Sequence, residues 1–135
     1  MNLGLRYKDD DTELVGYSDA DWAGDLNDRK STSGYVFMLG GAAISWKSCK
    51  QGCVALSTAE AEYMALASAA QEALWMTRLI NEFRVFEASI MPPVKIYEDN
   101  QSGICIAKNQ QQHGRSKHID IKYHFTLSPF LISPI

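Results

Sequence analysis

Three carboxylates hold positions from which they can do chemistry together. Asp19 lies toward the end of an apolar run from Leu14 to Asp21, and Asp99 closes a second run from Val94. Glu62 falls in the second turn of a long helical segment that begins at Ser57. If the two runs are neighbouring strands and the helix lies across them, the three side chains converge. Acids that meet at one point cannot all ionise without cations. Hard divalent ions such as Mg²⁺ or Mn²⁺ take carboxylate oxygens and water, and the sequence offers this triad no other partner. Two such ions about 3.5–4 Å apart activate a water and stabilise the leaving oxygen of a phosphodiester. Asp21 lies two residues beyond Asp19, on the same side of an ideal strand, and is the reserve ligand.

The elements that must position these acids follow from the pattern around them. Tyr35–Leu39 and Ala42–Trp46 flank Gly40-Gly41, a two-residue signal for a tight β-hairpin. Apolar residues fall on both parities of the first hairpin strand, which predicts that both of its faces are covered. Ser57-Thr58-Ala59-Glu60 is a capping box with Ser57 as N-cap, so Glu60 is explained as a cap rather than a ligand. From there to about Phe83 the chain has no Gly or Pro and is rich in Ala, Leu and Met, which predicts one long helix. Its apolar surface exceeds one stripe, so it should pack on a sheet and touch another helix as well. After Pro92-Pro93, the strand ending at Asp99 leads to a short helix capped by Asn100 or Ser102 and running to about Lys108. Residues 109–114 read as loop and 116–125 as a further helix. The order β-β-β-α-β-α-α predicts an α/β (α+β) fold, a mixed sheet with helices packed on it.

Bulk properties exclude several classes. The chain has 135 residues, enough for one domain with a real core. No apolar run reaches the roughly 18 residues that cross a bilayer, and the N-terminus has no apolar signal core, so secretion is not expected. Cys49, Cys53 and Cys105 are an odd set without a secretory signal, as in a reduced intracellular protein. A net charge of −3 argues against a tight, independent nucleic-acid binder, though not against a nuclease whose acids are neutralised by metal. A zinc site from Cys49, Cys53, His113 and His118 fails because the two pairs lie far apart in the chain. An EF-hand starting at Asp19 fails at its twelfth position, which is Lys30 where a Glu is required.

Several longer segments carry a resemblance. G-Y-S-D-A-D-W-A-G-D, D-R-K-S-T-S-G-Y-V-F-M-L-G-G, I-S-W-K-S, V-A-L-S-T-A-E-A-E-Y-M-A-L, Y-E-D-N-Q-S and S-K-H-I-D-I-K-Y-H-F occur in this order. Together they resemble the ribonuclease H domain of copia-type retrotransposon Pol polyproteins, over about Leu3 to Phe125. The resemblance implies a ribonuclease H-like fold that cleaves the RNA strand of RNA/DNA hybrids with two Mg²⁺ (or Mn²⁺) ions. By motif position, it places the family's first-strand Asp at Asp19, its helix Glu at Glu62 and its second Asp at Asp99. It also implies work beside the reverse transcriptase domain of a parent polyprotein, in cytoplasmic particles; a lone fragment would stay in the cytosol or reach the nucleus. Oligomeric state is not specified.

The resemblance stops at Phe125, which divides the chain into an incomplete domain, 1–125, and a tail, 126–135. The tail has no charge and two prolines. The family's last strand, and its last helix with a fourth metal-site Asp, are therefore expected to be missing, leaving the strand that ends at Asp99 with an open edge. Asp120 and His124 are the nearest substitutes for that Asp. Cleavage by the isolated chain is expected to be weak or absent. The alternative is an inactive relic or a fragment that holds nucleic acid without cutting it. Lys47, Lys50, Arg115 and Lys117, with Arg78 and Lys122, would then line its surface and Trp46 or Trp75 would stack on bases. The plainer account of these residues is a solvated charged rim and core tryptophans.

Overall fold

The computed structural model describes residues 4–7, 13–83, 92–108 and 130–135. The expected strand–hairpin–helix–strand–helix order is present as β1 (Val15–Asp21), β2 (Thr32–Leu39), β3 (Ala42–Lys50), α1 (Thr58–Phe83), β4 (Lys95–Glu98) and α2 (Gln101–Lys108). One more strand follows, β5 (Leu131–Pro134). The five strands form one mixed sheet in the order β3-β2-β1-β4-β5. The β1–β2 and β2–β3 pairs are antiparallel, whereas β1–β4 and β4–β5 are parallel.

The fifth strand corrects the expectation that the last strand is missing and the edge of β4 bare. Phe130 and Ile132 alternate with exposed Leu131, so the tail has the period of a half-buried strand and inserts its apolar side into the core. The Leu131 N–H donates to the Val94 carbonyl and the Ile135 N–H to that of Glu98. Tail residues 130–135 are thus structurally part of the domain.

Local chemistry accounts for the other elements. Gly40 and Gly41 adopt φ of 62° and 75°, the left-handed pair that a tight two-residue hairpin requires. Both hairpin strands extend further than their apolar residues indicate, because Thr32–Gly34 and Lys47–Lys50 pair through backbone whatever their side chains. The Glu60 N–H donates to Ser57 Oγ at 3.2 Å, and Glu60 Oε2 accepts the Leu56 N–H at 2.8 Å, one residue before the N-cap. Asn100 Oδ1 caps α2 by accepting the N–H groups of Ser102 and Gly103.

α1 packs on β1, β2 and β4 and also touches α2, as its wide apolar surface predicts. Phe37 is fully buried against this helix, and Gly16 makes room for it: a Cβ at Gly16 would lie 2.4 Å from Phe37 Cε1. Ser45 Oγ donates to Glu72 of α1 at 2.6 Å, and Gln51 Nε2 donates to the Ala61 carbonyl at 2.9 Å, fastening β3 and its end to the helix. The opposite face of β2 corrects the expectation of full cover. Val36 and Met38 remain partly exposed, since among the described residues no helix packs there.

Candidate metal centre

The acids meet where β1 runs past β4. Parallel pairing of these strands ends at Tyr17 with Tyr97, so Asp19 lies beyond the last pair and Asp99 follows the end of β4. The carboxyl ends of parallel strands are where open sheets of this kind bind ligands. Glu62 enters the same gap from the start of α1, which Ser57 and Glu60 fix in place. One carboxylate oxygen from each of Asp19, Glu62 and Asp99 lies within 4.8 Å of the others. Asp19 and Asp99 are exposed and Glu62 is buried, so the group is open on one side and walled by protein on the other.

A further acid stands behind the three. Glu98 is fully buried. Its Oε2 accepts the Ser18 hydroxyl at 2.7 Å and its Oε1 accepts the Asn100 N–H at 3.3 Å. It also shares a hydrogen bond with Glu62. Two carboxyl groups hydrogen-bond only if one of them carries a proton. Burial, then the negative charges of Glu98, Asp19 and Asp99, push the Glu62 carboxyl up to about 8. Burial also raises Glu98, against the lowering effect of the bonds from Ser18 and Asn100.

Glu62 Oε2 is buried without a hydrogen-bond partner among the described residues. A buried carboxylate oxygen with no donor is costly, and beside two further carboxylates it makes a set of hard ligands. These residues fit a divalent cation of the Mg²⁺ or Mn²⁺ type. A groove of about 420 Å³ opens beside the acids, lined in part by Tyr17, Asp19, Lys47, Asp99 and Ile135. Tyr17 and Tyr97 stack across β1 and β4 with ring centroids 5.3 Å apart.

The chain has relatives among known proteins, and its fold has counterparts among solved structures. The chain is 46% identical over 115 residues to the retrovirus-related Pol polyprotein from transposon TNT 1-94 of Nicotiana tabacum, an alignment covering 85% of this chain and 8% of that protein. It is 44% identical over 125 residues to the corresponding polyprotein from transposon RE1 of Arabidopsis thaliana, covering 92% of this chain and 8% of that one. The crystal structure of RNase H1 from Halobacterium salinarum NRC-1 superposes with a TM-score of 0.54 at 18% identity, covering 91% of this chain and 85% of that one. LC11-RNase H1 in complex with RNA/DNA hybrid gives 0.53 at 14% identity, with the same two coverages of 91% and 85%. The chain is a ribonuclease H-fold domain of the retrotransposon Pol type. It spans under a tenth of the length of those polyproteins, and the likeness to the solved structures concerns the fold. No family model matches the chain.

In this ribonuclease H-like domain, the remaining residues singled out by sequence have varied placements. Asp21 does not join the three acids; β1 ends there, and its carboxylate folds over Gly24, where a Cβ would lie 2.0 Å from Oδ2. Lys47 lines the groove beside Asp19 and Asp99. Lys50 is instead held between Asp25 and Asp28, 3.0 Å from Asp28 Oδ2, and these contacts lower both aspartates. Trp46 and Trp75 are 68% and 55% exposed, which corrects their reading as core residues. Arg115, Lys117, Asp120, His124, Lys122 and both zinc-candidate histidines lie outside the described residues. No helix among the described residues is long and apolar enough to cross a membrane.

Proposed function

We propose that the chain is a divalent-metal-dependent ribonuclease H that hydrolyses the RNA strand of RNA/DNA hybrids during reverse transcription. The observation that carries this reading is the meeting of Asp19, Glu62 and Asp99 within 4.8 Å, with a buried Glu62 oxygen that no group among the described residues satisfies. Two Mg²⁺ or Mn²⁺ ions, when bound, would supply an activated water and stabilise the leaving oxygen. The three carboxylates would hold those ions. The groove would seat one strand beside them, with Lys47 available to a phosphate and Tyr17, which Tyr97 stacks against, available to a sugar or base. Similarity to Pol polyproteins and to a fold captured on RNA/DNA hybrid supports this substrate. We further propose a partner reverse transcriptase domain in a parent Pol polyprotein and a place in cytoplasmic particles.

The test is incubation with end-labelled RNA/DNA hybrid in Mg²⁺ and in Mn²⁺, beside the Asp99→Asn variant. Cleavage that the variant loses supports the reading. No cleavage by folded protein, with hybrid still bound in a salt-dependent way, would instead establish a non-cleaving binding fragment. Capture of Lys50 by Asp25 and Asp28 thins the basic surface that such a fragment needs.

A further inference from the structure

Glu98 makes bonds that reach all three acids of the centre without belonging to it. Ser18 immediately precedes Asp19, and its hydroxyl is held by Glu98 Oε2 at 2.7 Å. Asn100 immediately follows Asp99, and its N–H is held by Glu98 Oε1 at 3.3 Å. The third bond goes to Glu62 itself, whose Oε2 is left without a partner. One fully buried side chain thereby ties β1, the end of β4 and the first turns of α1 together at the point where the ligands meet. The register of β1 with β4 ends at Tyr17 and Tyr97, just short of Asp19 and Asp99.

We propose that Glu98 is a positioning residue of the metal centre, a hydrogen-bonded bracket that sets the spacing of Asp19, Glu62 and Asp99 for a divalent cation. The inference rests on the metal-binding reading of those three acids. Glu98 itself stays off the metal, since both of its oxygens are engaged and the side chain is closed to solvent. Partners of this kind orient ligands, and losing one typically costs about 10–100-fold in metal affinity.

The experiment is Mn²⁺ titration of the full chain by calorimetry and electron paramagnetic resonance, with circular dichroism to verify folding. The proteins are wild type, Glu98→Leu, Glu98→Gln, Ser18→Ala and Asp99→Asn. Glutamine can still accept the Asn100 N–H through its oxygen and donate from its nitrogen to Glu62 and to Ser18 Oγ, whereas leucine fills the space with no bonds. The expected result is a loss of about tenfold or more in Mn²⁺ affinity for Glu98→Leu, with Glu98→Gln near wild type. Folded Glu98→Leu with wild-type affinity, or Glu98→Gln as weak as Glu98→Leu, overturns the bracket. Should Glu98→Leu not fold, Ser18→Ala decides: weaker Mn²⁺ binding supports the bracket and unchanged binding overturns it. A wild-type chain with no Mn²⁺ site sensitive to Asp99→Asn removes the reading of the centre and this inference with it. Intact wild-type binding beside an unaffected Glu98→Leu removes this inference alone.

Discussion

Gly103 of α2 lies so close to Glu62 of α1 that a Cβ on the glycine would sit 3.0 Å from the Glu62 Cβ. The missing side chain lets the second helix press its first turn against the helix that carries the buried ligand. Gly103→Ala pits two effects against each other. Alanine favours the helix by about 1 kcal/mol over glycine, while the new methyl crowds the base of the Glu62 side chain. The expected outcome is a melting temperature within a few degrees of wild type and Mn²⁺ affinity lower by about tenfold, the scale seen when a ligand's support is disturbed. Calorimetric titration beside thermal denaturation checks it. A stabilised variant with unchanged affinity would show that the contact has no bearing on the ligand.

The raised Glu62 carboxyl makes stability without metal depend on pH in a defined direction. The charged groups that reach it are Glu98, Asp19 and Asp99, all acids, so none favours its ionised form. Below the ordinary value of 4.5, Glu62 is protonated whether the chain is folded or not. Above it the unfolded chain ionises first, and stability is progressively lost as pH rises through the folded value of about 8. The melting temperature of metal-free protein should therefore fall from pH 5.5 to about pH 8.5, by roughly 3–5 °C for each kcal/mol lost. Saturating Mg²⁺ should reverse the fall, because it binds the ionised form. Glu62→Gln should flatten the profile; an equally steep profile in that variant would assign the dependence to other groups.

The two neighbouring lysines of β3 should behave differently toward nucleic acid. Lys47 lines the groove beside Asp19 and Asp99, whereas Lys50 is already held by Asp25 and Asp28. Hybrid affinity, measured by fluorescence anisotropy in Ca²⁺ to limit cleavage, should fall severalfold in Lys47→Ala. The slope of log affinity against log salt should drop by about 1, as expected when one phosphate contact is removed. Lys50→Ala should lie within about twofold of wild type, since its charge is satisfied within the protein. Equal losses in both variants would mean that the aspartates release Lys50 to the ligand.

Much of the centre was readable because its determinants are local. Ser57 and Glu60 announce the start of α1, and an acid at the end of each apolar run marks the strand termini where Asp19 and Asp99 lie. What escaped the sequence depends on contacts between distant segments. Glu98 is one more acid beside Asp99 until Ser18, 80 residues away, is seen donating to it. Gly103 looks like a liability in a short helix until Glu62 is placed against it. Asp21 shows the limit of strand periodicity: it keeps the exposed parity of Asp19 to the end of β1, but two residues further along its carboxylate lies against Gly24 instead of the other acids.

Two prolines and the lack of charge in the tail mask the alternation of a strand. Phe130 and Ile132 are 9% and 8% exposed while Leu131 is 49% exposed, so this short strand closes the core beside β4. Pro134 fits there because β5 is the edge strand, where a residue without an N–H forfeits no ladder bond. A chain ending at residue 129 would uncover Val94 and Ile96, both now buried, and leave the backbone edge of β4 unpaired. Such edges recruit other chains. The expected result is a lower melting temperature and oligomers or aggregate on size-exclusion chromatography. Ile132→Asp in the full chain should do the same, because burying an unpaired carboxylate opposes docking of the strand. A shortened chain that stays monomeric with unchanged stability would show that β5 contributes nothing to the sheet.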